Sequence, residues 1–579
     1  MGISKTTFTA SDGRKLVTAI PGTYAFINTQ ATAGQSFAPD RRVCFIAEST
    51  AGQGLKLQSF GDYEEAKRTL RSGNLLNGLY LGFTASPDIP VTELFTMSPN
   101  VNTQSTIDLD DTGATAVIQL DSVLYGTPAN ALSVEVTTGT DVGTTKVVIR
   151  EGTDDVETID NILYEAMSIQ YTGNASTAVM TINTTSLTVT LAGDQTDGSL
   201  DLSLNFVDYP TVRKIVDKIN ASTGYSASIL QSGEELTEYL DAFTAEDITS
   251  EVKITQNIQN IIDLINLNSQ KFTAKIKGSS TLRKQLTYIP ETFATGGTTG
   301  TVTATEWANL FTALEKEEVN IIVCAETSQT VILALVEHIK KMSTPEFKKY
   351  RQAFVGSATS DTKAQKKTLA ALINRSDVCL FAHNTYDLDQ YGRKVLRNGR
   401  DLACKAGGIA SETPPNEPLT FKKITTLELS EILTSKEMNE YIQSGIVMLR
   451  PSEVGSGIMF LRSVSTFQGD NIQLNEYSIV RTEYYISRDR QLNIQRKLED
   501  PALNRKTIIG DIRRLDEKRL SDYIQLGYLV VDNTGVQRTV SNYTLKVQGD
   551  KMIISSGLLV SAPVNFVFID QQFDLLFQV

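Results

Sequence analysis

The segment NIIVCAETSQTVILALVEHIKKM (residues 320–342) decides how the chain is read. NIIVCAE is a continuous apolar run, the pattern of a strand buried on both faces. TSQTVILALVEHIKKM follows as a helix, with Lys340 and Lys341 in its last turn, where the helix dipole favours cations. The alternation continues downstream. QAFVGSA (352–358) and DVCLFAHN (377–384) read as strands, TKAQKKTLAALINR (362–375) and DLACKAGGIAS (401–411) as helices. Strands alternating with helices predict a largely parallel sheet covered on both sides.

The same pattern starts near the N-terminus. RRVCFIAES (41–49) is a strand, and SFGDYEEAKRTLRSG (59–73) a helix with Asp62 as its cap, Glu65 completing a capping box and Gly73 at its end. Between the two halves the composition changes. Residues 101–300 are rich in threonine and carry short β-like runs: AVIQL, ALSVEVTTG, TKVVIRE, VMTINTTSLTVTLAG and LDLSLNFV. They predict a β-sandwich or similar module inserted into the α/β domain, with TFATGGTTGTVTATEW (292–307) as the loop leading back.

After PPNEPL (414–419) the reading is α+β. Thr434 and Glu437 form a capping box for SKEMNEYIQ, Gly445 ends that helix, and IVMLR and GIMFLRSVSTF are strands. EYSIVRTEYYISRDRQLNIQRKLED is a long helix stopped by Pro501, and KTIIGDIRRLDEKRLSDYIQLGYL is a second. In the second, Ile508, Ile512, Leu515 and Tyr523 share one face, with Arg514 and Lys518 opposite among Asp511, Glu517 and Asp522. NYTLKVQG and KMIISSGLLV are the next strands.

Both ends carry strands outside any evident domain. In TAIPGTYAFINT (18–29) a Pro21-Gly22 turn precedes alternation at Tyr24, Phe26 and Ile27. In SAPVNFVFIDQQFDLLFQV (561–579), Val564 to Phe568 alternates, Asp570, Gln571 and Gln572 interrupt, and Phe573, Leu575, Phe577 and Val579 resume on the flipped face. An apolar strand with unpaired backbone groups is an aggregation hazard unless something pairs it.

The 579 residues allow several cores, and 21% charged with 41% hydrophobic residues is an ordinary globular balance. A net charge of -13 disfavours nucleic acid as a partner. No secretory signal and no run long enough to span a bilayer is evident, so membrane insertion is not expected. Cys44, Cys324 and Cys379 sit in apolar runs and read as core thiols; Cys404 lies far from them, and no CxxC pair occurs. His338 and His383, the only histidines, have no neighbouring ligands at metal-site spacing and read as structural. GGTTG (296–300) and AGQGLKL (51–57) lack the lysine of a phosphate loop, SEVGSGI lacks the spacing of a nucleophile elbow, and Asp387–Asp389 reads as a solvated pair. No catalytic residue, metal ligand or cofactor site is expected.

The PGTYAFI start, the helix FGDYEEAKRTLRSGNLLNGLYLGF, the segment LDSVLYGTPANALSVEV and the C-terminal order PPNEPLTFKKI, QSGIVML, SVSTFQGDN and long helix together resemble contractile-phage tail sheath proteins. The likeness is to those of large lytic phages of Gram-positive bacteria. It implies a structural, non-enzymatic subunit that stacks in a helical sleeve around a tail tube and drives the tube through the host envelope on contraction. The implied division is an N-terminal arm (1–37), a middle α/β domain (38–100 plus 301–413), a β-rich outer insertion (101–300), a tube-facing inner domain (414–569) and a C-terminal arm (570–579). The arms of this family add strands to sheets in neighbouring subunits, which here points to Tyr24, Phe26 and Ile27 in one arm. In the other it points to Phe573, Leu575, Phe577 and Val579, hinged at Asp570, Gln571 and Gln572. Arg514 and Lys518 are the candidates for tube contact. Implied partners are other copies of the chain, the tube protein, and baseplate and tail terminator proteins; the implied location is the virion, after assembly in the host cytoplasm. A phage-derived injection or secretion device would share the fold, and a glycan-binding adhesin or hydrolase built on the insertion is a reading of a different class.

Overall fold

The structure, a computed structural model, describes residues 6–9, 15–18, 41–153, 155–277, 285–344, 346–453, 455, 457–499, 508–531, 539–548 and 551–563. The apolar runs become a seven-stranded sheet in the order Ile446–Val447, Val378–Phe381, Gln352–Gly356, Ile321–Cys324, Val43–Ile46, Leu94–Met97, Gln58–Phe60. Neighbours are parallel except the last pair, which is antiparallel. Residues 59 and 60, expected at the head of a helix, belong to that edge strand, and the helix is Tyr63–Leu70. Asp62 caps it by accepting the Glu65 N–H at 2.7 Å, but the Glu65 carboxylate accepts from Gly61 rather than from the cap.

Because side chains alternate along a strand, the sheet feeds two cores. Phe45, Val323, Phe354 and Phe381 face one; Ile46, Ile322, Val355 and Leu380 face the other. Helices Ala304–Leu314, Gln329–Met342 and Lys363–Ile373 cover the second face. Helix Gly399–Glu412, capped by Asn398, covers the first and crosses helix Asn74–Phe83 so closely that a Cβ on Gly408 would lie 2.0 Å from the Gly82 carbonyl oxygen. Buried charged side chains are built into these layers. The Lys405 ammonium on the crossing helix pairs with Asp387, which is therefore an inward group and not half of a solvated pair. Arg351, fully buried, donates to the Leu314 carbonyl at 2.9 Å and sits 2.8 Å from Nε2 of His338. Burial, and then the Arg351 charge, push the His338 pKa down from 6.5 to about 3, so the neutral ring accepts from the guanidinium. All four cysteines are buried free thiols.

The insertion is not one β-sandwich. Its ends, with helix Asn257–Asn268, enclose one core around Ile118, Val134, Ile149 and Ile261. Nested within it, strands from Glu165–Tyr171 to Val252–Thr255 enclose a second core with helix Val212–Asn220. Both helices were absent from the β-rich reading, although Thr211 caps one, and Val212, Ile215, Val216 and Ile219 repeat at helical spacing.

Downstream, Thr434 and Glu437 form the expected reciprocal cap of helix Ser435–Gln443. The long helices are Tyr477–Leu498 and Ile508–Gln525, followed by the antiparallel pair Val540–Gln548 and Lys551–Leu558. Near the N-terminus, Thr6–Thr9 pairs antiparallel with Lys15–Thr18, ahead of the strand expected in residues 18–29. Asp12-Gly13 between the two runs is the sequence signal of that pairing. Among the described residues no helix is long and apolar enough to cross a membrane.

Two outcomes follow from the body. Gly408→Ala forces two helix backbones apart and should cost at least about 1–3 kcal/mol in urea unfolding. Gly78→Ala, whose Cβ would meet side chains rather than backbone (the Ala325 methyl at 3.1 Å, Cys404 Sγ at 3.3 Å and the Phe45 ring at 3.6 Å), should cost less. For His338 the unfolded ring takes a proton near pH 6.5 and the folded ring only near 3. Its contribution is therefore complete above pH 6.5 and is lost as the pH falls, by up to about 1.4 kcal/mol per unit. His338→Gln should flatten the stability–pH curve between pH 6.5 and 5, measured by denaturant titration.

Candidate assembly interface

Helix Tyr477–Leu498 has 22 residues, about 33 Å of rod. Its first half is fixed in the body. Tyr477 belongs to the core of the large sheet, and its carbonyl accepts from Gln352 at 3.2 Å. Arg481 donates to the Ala410 carbonyl at 3.0 Å, Tyr484 donates to Asp377 at 3.0 Å, and Arg488 pairs with Glu318 at 2.7 Å. The second half leaves the sheet and packs on helix Ile508–Gln525.

That contact is polar at its centre. Tyr523 donates to Asp489 at 2.6 Å, Arg519 reaches Asp489 at 3.4 Å and Asn493 at 3.0 Å, and Arg490 grips Asp516 through two bonds of 2.8 and 2.7 Å. Asp489, Asp516 and Arg519 are all buried. Burial, then the Asp489 charge, drive the Tyr523 pKa far above 10, so it stays a donor. The inward face of the second helix is thus Ile512, Asp516, Arg519, Leu520 and Tyr523, with Ile508 and Leu515 only half-buried. Sequence reading placed Ile512 and Tyr523 on this face but missed Leu520, and it missed Asp516 and Arg519 because their partners lie on a different helix.

Over this pair lies the hairpin Val540–Leu558. A small core of Tyr485, Tyr523, Tyr528 and Leu529 holds its base through Val540 and Leu558, and Arg490 donates to Ser556 at 3.2 Å. Leu529 bridges to Val560 beside it. Elsewhere along Val540–Gln548 and Lys551–Leu558 the ladder has two strands and, among the described residues, no third. Val547 and Ile553 are exposed. A two-stranded sheet with open edges is marginal alone and is a template for further strands.

Arg514 and Lys518 both lie on the outward side of helix Ile508–Gln525, where Arg514 pairs with Asp511 at 2.5 Å and stays 77% exposed. Tyr24, Phe26 and Ile27, the hinge Asp570, Gln571 and Gln572, and Phe573, Leu575, Phe577 and Val579 lie outside the described residues.

Comparison with known proteins bears on this architecture. No family model matches the chain. It is 23% identical over 584 aligned residues to the tail sheath protein of Bacillus phage SP01, covering 97% of this chain and 96% of that one. Its relatives are phage tail sheath proteins. A putative tail sheath protein of Enterococcus phage phiEF24C is 24% identical over 74% of this chain and 75% of its own length. The fold agrees: a sheath tail protein from Listeria innocua matches 92% of this chain and 98% of its own, with a TM-score of 0.53 at 12% identity. One from Desulfitobacterium hafniense gives 0.50 at 11% identity, over 93% of this chain and 99% of its own. The likeness thus extends over more than nine-tenths of the chain.

Arg519→Ala would leave the buried Asp489 carboxylate without its guanidinium and should cost about 3–5 kcal/mol. Arg514→Ala on the outward face should stay within about 0.5 kcal/mol. Denaturant unfolding of the two variants beside the parent measures both.

Proposed function

We infer that this chain is the structural subunit of a contractile tail sheath, polymerising as a helical sleeve and working by rearrangement of whole subunits. The observation that carries this is relatedness to sheath proteins over nearly the whole chain, in a chain whose long helix carries a hairpin that is two-stranded among the described residues. In this reading the hairpin Val540–Leu558 accepts strands from neighbours. The N-terminal arm brings Tyr24, Phe26 and Ile27; the C-terminal arm leaves at Asp570, Gln571 and Gln572 and brings Phe573, Leu575, Phe577 and Val579. Strand addition satisfies the backbone groups of donor and acceptor at once. Because donor and acceptor surfaces differ, the contact is head-to-tail and propagates as an open helix.

The bodies then shift between two packings while the arms stay paired, and the extended sleeve is a kinetically trapped state released from its baseplate end. Residues 38–100 with 301–413 form the middle domain, 101–300 the outer one, and 414–569 the inner one facing the tube. Arg514 and Lys518 contact the tube there: exposed, solvent-screened charge pairs are weak and therefore releasable. The tube protein, baseplate and tail terminator complete the partner set. The work done is mechanical rather than enzymatic, with assembly in the host cytoplasm and residence in the virion.

Removal of residues 570–579 should leave a folded, monodisperse subunit that forms no sleeves by negative-stain microscopy. Normal sleeves from that truncation would sink the arm assignment.

A further inference from the structure

We propose that the insertion is latched to the α/β body by the Arg71–Glu151 ion pair, and that release of this pair lets the insertion swing about the crossing segments 98–103 and 296–303. A cleft of about 1020 Å³ separates the two units, walled by Gln58, Arg68 and Arg71 on the body and by Val123, Tyr125 and Glu151 on the insertion. Arg71 crosses it, with Nη1 2.6 Å from the Glu151 carboxylate, which also takes Lys271 at 3.1 Å.

Arg71 is held in an unusual backbone. It ends helix Tyr63–Leu70 at φ 62 and ψ -56, and the Ser72 N–H donates to the Leu70 carbonyl at 2.7 Å. This is a γ-turn of the rare, strained hand, in a residue that has a Cβ. Its Nε is buried without a hydrogen-bond partner. The ion pair across the cleft is what offsets these costs, so strain on one side is balanced against charge pairing on the other. Release is cheap for Glu151, because Lys271 stays with it.

The rest of the joint suits a hinge. Among the described residues, the hydrophobic cores of the body and of the insertion share no member. The crossing segments are instead tied by polar bonds: Thr103 N–H to the Thr298 carbonyl at 3.0 Å, Asn100 to the Gly300 carbonyl at 2.7 Å, and Thr299 Oγ1 to the Thr50 carbonyl at 2.7 Å. The latch lies off these segments, between the end of one helix and the end of strand Thr145–Glu151. That the swing accommodates neighbours during contraction rests on the sheath reading; the swing itself is a property of the single chain.

The test is a distance measurement on the full-length monomer. Spin labels go on Lys67→Cys and Val142→Cys, both exposed, while the four native thiols are buried. The parent should give one narrow distance by double electron–electron resonance. Arg71→Ala and, independently, Glu151→Gln should add a longer, broader population at unchanged circular dichroism, and Arg71→Lys should restore the narrow one. A parent-like distribution in both Arg71→Ala and Glu151→Gln, or a broad one already in the parent, overturns the latch. Sleeve formation is scored separately by microscopy on unlabelled protein, so failure of the sheath reading leaves this readout intact.

Discussion

An amide or carbonyl at a sheet edge must find a partner, and among the described residues the hairpin Val540–Leu558 offers two rows of them with one short bridge beside it. Much of the C-terminal architecture serves to hold that hairpin in place. Its own packing is slight: Val540, Tyr543, Leu558 and Val560 rest on a small aromatic core and none of them is fully buried. Rigidity comes from beneath, from the Asp489–Arg519–Tyr523 and Arg490–Asp516 networks, which join two helices at fixed register. Buried charge pairs add little net stability, but a misplaced register would strand the charges, so they select one geometry. Among the described residues the hairpin is therefore incomplete in its hydrogen bonding but definite in its position.

The same helix ties this joint to the body. Tyr477 and Arg481 are embedded under the large sheet, while Asp489 and Asn493, further along, belong to the polar contact. Helix Tyr477–Leu498 is thus one rigid piece shared by the body and the base of the hairpin. The insertion is coupled differently. Its two cores are separate from those of the body, and its joint is made of threonine and asparagine hydrogen bonds with an ion pair across a cleft.

How much of this was legible follows from what each residue's partner is. Val43–Ile46, Ile321–Cys324 and Val378–Phe381 are buried on both faces, so their apolar runs announce a parallel sheet. Gln58–Phe60 carries no such run and was absorbed into the neighbouring helix. In the insertion, threonine-rich strands drowned the signal of helix Val212–Asn220, although its cap and spacing are regular. Buried ions were the hardest. Asp387 read as a solvated group, and Lys405, Arg519 and Asp489 drew no reading, because the burial of each depends on a partner that folding brings near. The outward placement of Arg514 and Lys518 was legible from helical spacing, and the order of segments was enough to suggest the family that the relatives then named.

The central claim is that the hairpin edges are empty in the free subunit and filled in the polymer. Hydrogen exchange at single-residue resolution over residues 540–558, in the free subunit and in assembled sleeves, tests it most directly. Outward-pointing amides of Val540–Gln548 and Lys551–Leu558 should exchange quickly in the free chain and become protected on assembly. Equal protection of those amides in both states would contradict the account.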